Sequence, residues 1–299
     1  MINWIYLVLI SQWIWSFTSI IDKIVISKGY IKNPLVYIVL NGLSNILLIF
    51  LLPFAGFESL KFADFLIVLV SEIALIASVA AYYKAVEYDE ISKVVILFEF
   101  APIFGLILSL IFLGDFLTKN QIVGFILLLA AGIAISYKKI DRSFKLSKSF
   151  YYMLISTFLS AIGFVTAKYI FNVMNFWNAF LWLRLTGFIA IFVLHVPSIR
   201  KQFAQTVTQM EKKIKWLLSF KMVIDFCAFI FAGYGLRNGP VALVSALSSA
   251  VLPLFVFMLA ILSSVYMPNV IKENIDKKSI MIKILAIALI IAGIIFINK

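Results

Sequence analysis

Glu72, Glu99, Arg184 and Asp225 each stand inside a long apolar run. An ionised side chain at the centre of a bilayer costs about 2.5 to 3.5 kcal/mol on insertion scales, so one that is kept needs a partner, a wet cavity or a proton. The chemistry open to such a set is recognition. Carboxylates in an apolar interior bind an amine or cation, and an arginine can grip a carboxylate through two parallel hydrogen bonds. Burial favours the protonated form of a carboxyl, so such an acid can exchange a proton for a cationic substrate. Tyr83 follows Glu72 by eleven residues, which returns it to nearly the same helical face. Trp15 adds an aromatic surface for stacking or cation–π contact. Glu72, Tyr83, Glu99, Arg184, Asp225 and Trp15 are therefore the expected substrate-binding residues. Three acids against one arginine suit an amine, a cation or a zwitterion. The competing reading is that the acids are buried partners of Arg184 or Lys221 and serve only packing.

Other chemistries lack their residues. One cysteine, Cys227, and one histidine, His195, leave no disulfide and no His/Cys metal site. No glycine-rich phosphate cradle occurs, so no cofactor is expected and any transport draws on a gradient. An enzyme acting on lipids would need clustered nucleophiles or acid–base pairs, and the chain is not read as an enzyme.

The elements that must carry these groups follow from composition. With 64% hydrophobic and 13% charged residues over 299 positions, and a mean hydropathy of +1.08, the chain is solvated by lipid. Apolar runs long enough to cross a bilayer are expected at 3–22, 35–53, 63–84, 91–113, 120–137, 149–172, 176–196, 215–236, 240–265 and 279–297, the first as a retained helix. The longest hydrophilic connection, 197–214, leaves no room for a domain outside the membrane. Pro102 and Pro253 remove helix hydrogen bonds and are expected hinges. Gly124 and Gly132 share a face of the fifth span and allow close packing. Lys23, Lys84, Lys93 and Lys168 lie near span ends, where long stems snorkel.

The formal charge of +12 implies no nucleic acid here, because the basic residues sit in short connections where they set topology and meet anionic headgroups. Connections after the first, third, fifth, seventh and ninth spans hold 18 Lys and Arg, including the run Lys138, Lys139, Arg142, Lys145 and Lys148, against 5 on the other side. This asymmetry places both termini outside the cytoplasm.

The chain also repeats. Tyr83 to Leu113 aligns with Tyr234 to Ser264, setting Pro102 on Pro253, and the following runs set Gly132 on Gly293. Five spans per copy is an odd number, so the second copy enters the membrane inverted, the pattern of secondary transporters with a site between the repeats. The stretch WIWSFTSIIDK, the LWLRLTGF segment around Arg184 and the block FAPIFGLILSLIFLGDFLTKNQIVGFILLLAAG resemble the drug/metabolite transporter superfamily, in particular its ten-helix EamA-type members. The resemblance implies an all-α membrane protein of ten transmembrane helices, two inverted five-helix repeats (1–143 and 149–299) around a central cavity lined by the first, third, fourth, sixth, eighth and ninth spans. The family usually keeps its termini in the cytoplasm, opposite to the charge reading. Asn41 stands where a first-half equivalent of Arg184 belongs, the Gly–acid pair is absent after the ninth span, and about ten extra residues around Lys272 to Lys278 precede the tenth.

The function expected is secondary transport of a small amino acid, amine or zwitterion by alternating access across the cell membrane, with proton coupling open. Export of lipophilic cations is the alternative, and a non-transporting scaffold or lipid-modifying enzyme is the alternative of another class. The partners are a small-molecule substrate and the lipid bilayer, with a homodimer left open.

Overall fold

The computed structural model describes residues 3–27, 29–31, 33–88, 94, 97–136, 148–266 and 277–299. Lys93, the basic run from Lys138 to Lys145, most of the stretch around Lys272 and the Lys23 side chain lie outside this description.

Among the described residues all regular structure is helical. In chain order the helices are α1 (Trp4–Ser27), α2 (Pro34–Leu43), a short α3 (Leu52–Ala55), α4 (Phe62–Tyr88), α5 (Phe100–Leu113), α6 (Lys119–Ser136), α7 (Lys148–Val173), α8 (Phe176–Thr186), α9 (Pro197–Gln209), α10 (Lys212–Asn238), α11 (Val241–Tyr266) and α12 (Lys277–Ile297). Eight helical segments are long and apolar enough to cross a membrane, and two apolar helices, Leu35–Phe50 and Leu97–Leu113, are shorter. Eight of the expected spans thus coincide with spanning helices, and the two shorter ones fall at 35–53 and 91–113.

Tighter winding compensates for part of that shortness. α2 continues as a 3₁₀ helix over Ser44–Phe50 and α8 over Gly187–His195. At about 1.5 Å per α residue and 2.0 Å per 3₁₀ residue, the α2 pair reaches roughly 29 Å, close to the ~30 Å hydrocarbon thickness. Asn33 and Asn175 start these two helices alike, each side chain accepting a backbone N–H of the first turn.

Packing partners exchange in a regular way between the two halves. α1 packs on α10 and α11, while α7 packs on α4 and α5; α6 packs on α12, and α2 on the 3₁₀ continuation of α8. Lipid tails offer no hydrophobic drive between helices, so small and polar residues make the close seams. On the α4–α7 seam the Ser78 hydroxyl donates to the Ser156 carbonyl at 2.8 Å, and the Ser156 hydroxyl donates back to the Ser78 carbonyl at 2.9 Å. On the α6–α12 seam, a Cβ on Gly124 would lie 2.8 Å from the Gly293 carbonyl oxygen. Gly124 therefore packs as the sequence anticipates. The outward faces of α5, α6 and α12 expose Ile111, Phe112, Ile126, Ile284 and Ile291, an apolar belt for lipid.

The hydrophilic connection at 197–214 contains an additional helix, α9. Ile199, Phe203 and Val207 recur every fourth residue and pack on the apolar cluster of Val25, Val36 and Leu40, leaving Arg200 and Lys201 exposed. Asn33 donates to Gln202 at 2.7 Å, tying α9 to the start of α2.

Aromatic rings cluster towards the side carrying both termini. Phe171 stacks on Phe176 at 5.3 Å, Phe176 on Tyr234 at 3.5 Å, and Phe180 meets Phe226 edge-on at 5.7 Å. Lys168 does not snorkel here. Its buried ammonium donates to the carbonyls of Leu236, Arg237 and Gly239 at 3.0, 2.7 and 3.0 Å, capping the end of α10, where cations are favoured. Asp115 stands close enough to attract the same ammonium, beside Gly114, whose φ of +66° ends α5 in the left-handed region.

Candidate functional site

A cavity of about 440 Å³ lies between the two halves, within the size range of small-molecule sites. Its lining comes from residues 15–22 of α1, 38–45 of α2 and its continuation, 72–79 of α4, 183–190 of α8 and its continuation, 221–229 of α10, and Leu252 of α11. α1 ends, and α10 begins, on the side of the basic connections, so the cavity lies towards that half of the protein.

Two charged groupings face the cavity. The first is a compact cluster on the side of the basic connections. Lys221 reaches Asp225, one turn along α10, at 2.5 Å, Asp22 of α1 at 3.4 Å, and the Asn41 side-chain oxygen at 3.3 Å. The Tyr37 hydroxyl donates to Asp22. Lys221 is thus shared by two acids from different helices, and the cluster satisfies itself.

The second grouping is open. The guanidinium carbon of Arg184 lies 3.8 Å from the centroid of the Phe229 ring, and Trp15 meets the same ring edge-on at 5.1 Å. Glu72 is near enough to Arg184 to feel its charge. Yet among the described residues no carboxylate forms an ion pair with Arg184 within 4 Å. Stacking on Phe229 fixes the plane of the guanidinium and leaves its N–H edge for another acceptor.

Of the residues selected from sequence, Glu72, Arg184, Asp225 and Trp15 line this cavity, and Tyr83 and Glu99 do not. The lining of α4 ends at Val79. Tyr83 lies one turn further and packs on Tyr82, with ring centroids 5.4 Å apart. A shared face is not a shared depth, since eleven residues span about 16 Å along a helix. Glu99 ends the 3₁₀ turn Leu97–Glu99 and lies buried among α5, α6 and α11. The expected grouping of Glu72, Asp225 and Glu99 in one cavity is therefore replaced by Glu72, Asp225 and Asp22. Pro102 stands in the first turn of α5, where a missing N–H costs least, whereas Pro253 is interior to α11.

Asp22, Tyr37 and Asn41 were not selected. Asp22 falls at the edge of the expected 3–22 run, but α1 continues to Ser27, which brings the acid inside the protein. The conspicuous signal was an acid directly before Lys23 in an otherwise apolar stretch.

Among the described residues no group of His, Cys, Asp and Glu could hold a metal ion. Residues 2–137 match the EamA-like transporter family. No curated protein matches the chain. Among solved structures, one crystal structure of a protein superimposes with a TM-score of 0.69 at 12% sequence identity, covering 98% of this chain and 94% of that one, a likeness that establishes a shared fold.

Proposed function

We propose that the chain, whose residues 2–137 match the EamA-like transporter family of the drug/metabolite transporter superfamily, is a multi-pass membrane transporter that carries a small zwitterionic metabolite, of the amino-acid class, across the cell membrane. The observation that supports this reading most is Arg184, stacked on Phe229 and without a carboxylate partner, facing a cavity that also holds Glu72. A substrate carboxylate takes the free edge of Arg184 and its ammonium takes Glu72, so both buried charges gain partners on binding. The Lys221 cluster lines the cavity towards the basic connections, its lysine offset by two acids.

Transport proceeds by alternating access. In this reading the cavity is reached from the side of the basic connections, and the Phe171–Phe176–Tyr234 stack lies towards the opposite side. Rocking one half against the other exposes the cavity to each side in turn. The regular exchange of packing partners between the halves supports such a motion.

The test is counterflow of radiolabelled amino acids into proteoliposomes containing only the purified protein. Flux that Arg184→Ala abolishes supports the reading. Export of lipophilic cations, the second reading, needs the acids and aromatic rings but not Arg184. Transport of a quaternary ammonium dye that survives Arg184→Ala would establish that reading instead, and absence of any flux would leave a scaffold.

A further inference from the structure

Glu99 is 5% exposed and carries the one buried carboxyl outside the cavity that has no basic partner among the described residues. Its Oε2 accepts from the Ser249 hydroxyl at 3.0 Å. Across from it is Gly132 of α6, where any Cβ would collide with the carboxyl group, so the notch that holds Glu99 exists because residue 132 has no side chain.

Among the described residues no cation acts on Glu99. α11 contains no Asp, Glu, Lys, Arg or His, and α6 carries only Lys119, at its first residue. On α7 the titratable groups are Lys148, Tyr151, Tyr152, Lys168 and Tyr169, none of which bonds to Glu99. Tyr82 of α4 packs on Phe98 at 5.2 Å rather than on the acid. An apolar-bound carboxyl so placed must shed its charge or acquire a positive one. One hydroxyl is too few ligands for a metal ion, and the proton is the cation that fits.

The position adds a mechanical consequence. Pro253 lacks the N–H group that would bond the carbonyl of Ser249, four residues before it, whereas Pro102 stands in the first turn of α5 and removes no such bond. The Glu99–Ser249 contact therefore joins the start of α5 to the turn of α11 that Pro253 weakens. The Ser249 hydroxyl has a single hydrogen and two acceptors in reach, Glu99 at 3.0 Å and the Ala246 carbonyl at 3.1 Å. With Glu99 ionised the hydroxyl donates to it. With Glu99 protonated the carboxyl can donate to Ser249, whose hydrogen turns to Ala246. One helical turn further along α11, Leu252 lines the substrate cavity, and on its neighbouring face Ser248 accepts from Gln12 of α1 at 3.1 Å.

We infer that Glu99 is a proton-binding site of the transport cycle, separate from the substrate cavity and placed between the start of α5 and the proline-weakened turn of α11. The inference rests on the transporter reading above and assigns the coupling proton a place apart from Glu72. Proton uptake converts the carboxylate to a carboxyl and reverses the hydrogen bond to Ser249, which biases α11 and with it the cavity wall.

Infrared difference spectra of the purified protein in lipid nanodiscs, recorded across a pH titration, read this site without any substrate. A titrating carboxyl band is expected that disappears in Glu99→Gln, persists in Glu72→Gln and shifts in Ser249→Ala. In proteoliposomes with a labelled amino-acid mixture, Glu99→Gln is expected to lose accumulation driven by a pH gradient, while exchange without net proton movement persists. An unchanged band in Glu99→Gln, or undiminished gradient-driven accumulation, overturns the inference. Should Glu99→Gln fail to fold, a band unshifted in Ser249→Ala overturns it as well. Absence of exchange by the unaltered protein would refute the transporter reading, and the infrared titration would still decide the site.

Discussion

Arg184 lies with its guanidinium carbon 3.8 Å above the Phe229 ring, and the two come from helices, α8 and α10, that follow one another around the cavity. The ring holds the fork in one plane, so substrate affinity should depend on the ring as well as on the charge. A cation–π contact contributes about 0.5 to 2 kcal/mol, so Phe229→Leu should weaken substrate binding about 2- to 30-fold. Arg184→Lys keeps the charge but loses the planar fork and should weaken binding at least as much. Ligand-induced thermal shifts against a panel of amino acids measure both, and equal shifts in Phe229→Leu and the unaltered protein would count against the stacking role.

Asp225→Asn leaves Lys221 with Asp22 and Asn41 still in reach. Breaking a buried pair outright costs about 3 to 5 kcal/mol; with one acid remaining, a loss of about 1 to 3 kcal/mol is expected, read as a lower apparent unfolding temperature in detergent. Asp22→Asn combined with Asp225→Asn should cost more than the sum of the two, because only the double variant strands the lysine. Simple additivity would mean the acids act independently of Lys221.

Gly124→Ala should destabilise by about 1 to 3 kcal/mol, the usual cost of overpacking. Its Cβ would meet Ile297 at 2.6 Å and the Gly293 carbonyl at 2.8 Å, and a helix backbone yields less readily than a side chain. Gly293→Ala, whose nearest contact is the Leu128 side chain at 3.1 Å, should cost less. Reversal of that order in thermal unfolding would place the tight point of the seam elsewhere.

Orientation is decided by two exposed lysines on opposite sides. In a Cys227→Ser background, which removes the exposed native thiol, Lys61→Cys should react with an impermeant thiol reagent on intact cells and Lys213→Cys should not, as the 18 to 5 charge asymmetry requires. The opposite pattern would put the termini in the cytoplasm.

The charges inside apolar runs led from sequence to half of the candidate site, because lipid makes each such group conspicuous. Glu72, Arg184 and Asp225 were legible for that reason, and all three face one cavity. Asp22 was hidden by helix length, since an acid at the end of a 20-residue run reads as a boundary until the helix proves to extend past it. Tyr83 shows the opposite error, a correct angular position at the wrong depth. Glu99 was recognisable as a buried acid, but the 3₁₀ turn before α5 and the notch at Gly132 set its location, and neither is marked by composition. α9 was legible in principle, through Ile199, Phe203 and Val207, but its polar majority masked that spacing.

Lys168 bonds only to main-chain carbonyls, and this makes the contact invisible from one side. Any residue at positions 236, 237 or 239 presents the same oxygen, so no substitution there removes an acceptor, whereas replacing the lysine removes all three bonds together. In a set of related sequences the lysine would therefore not covary with positions 236, 237 or 239, and a method that finds contacts through paired substitutions would miss the bonds that fasten α7 to the end of α10.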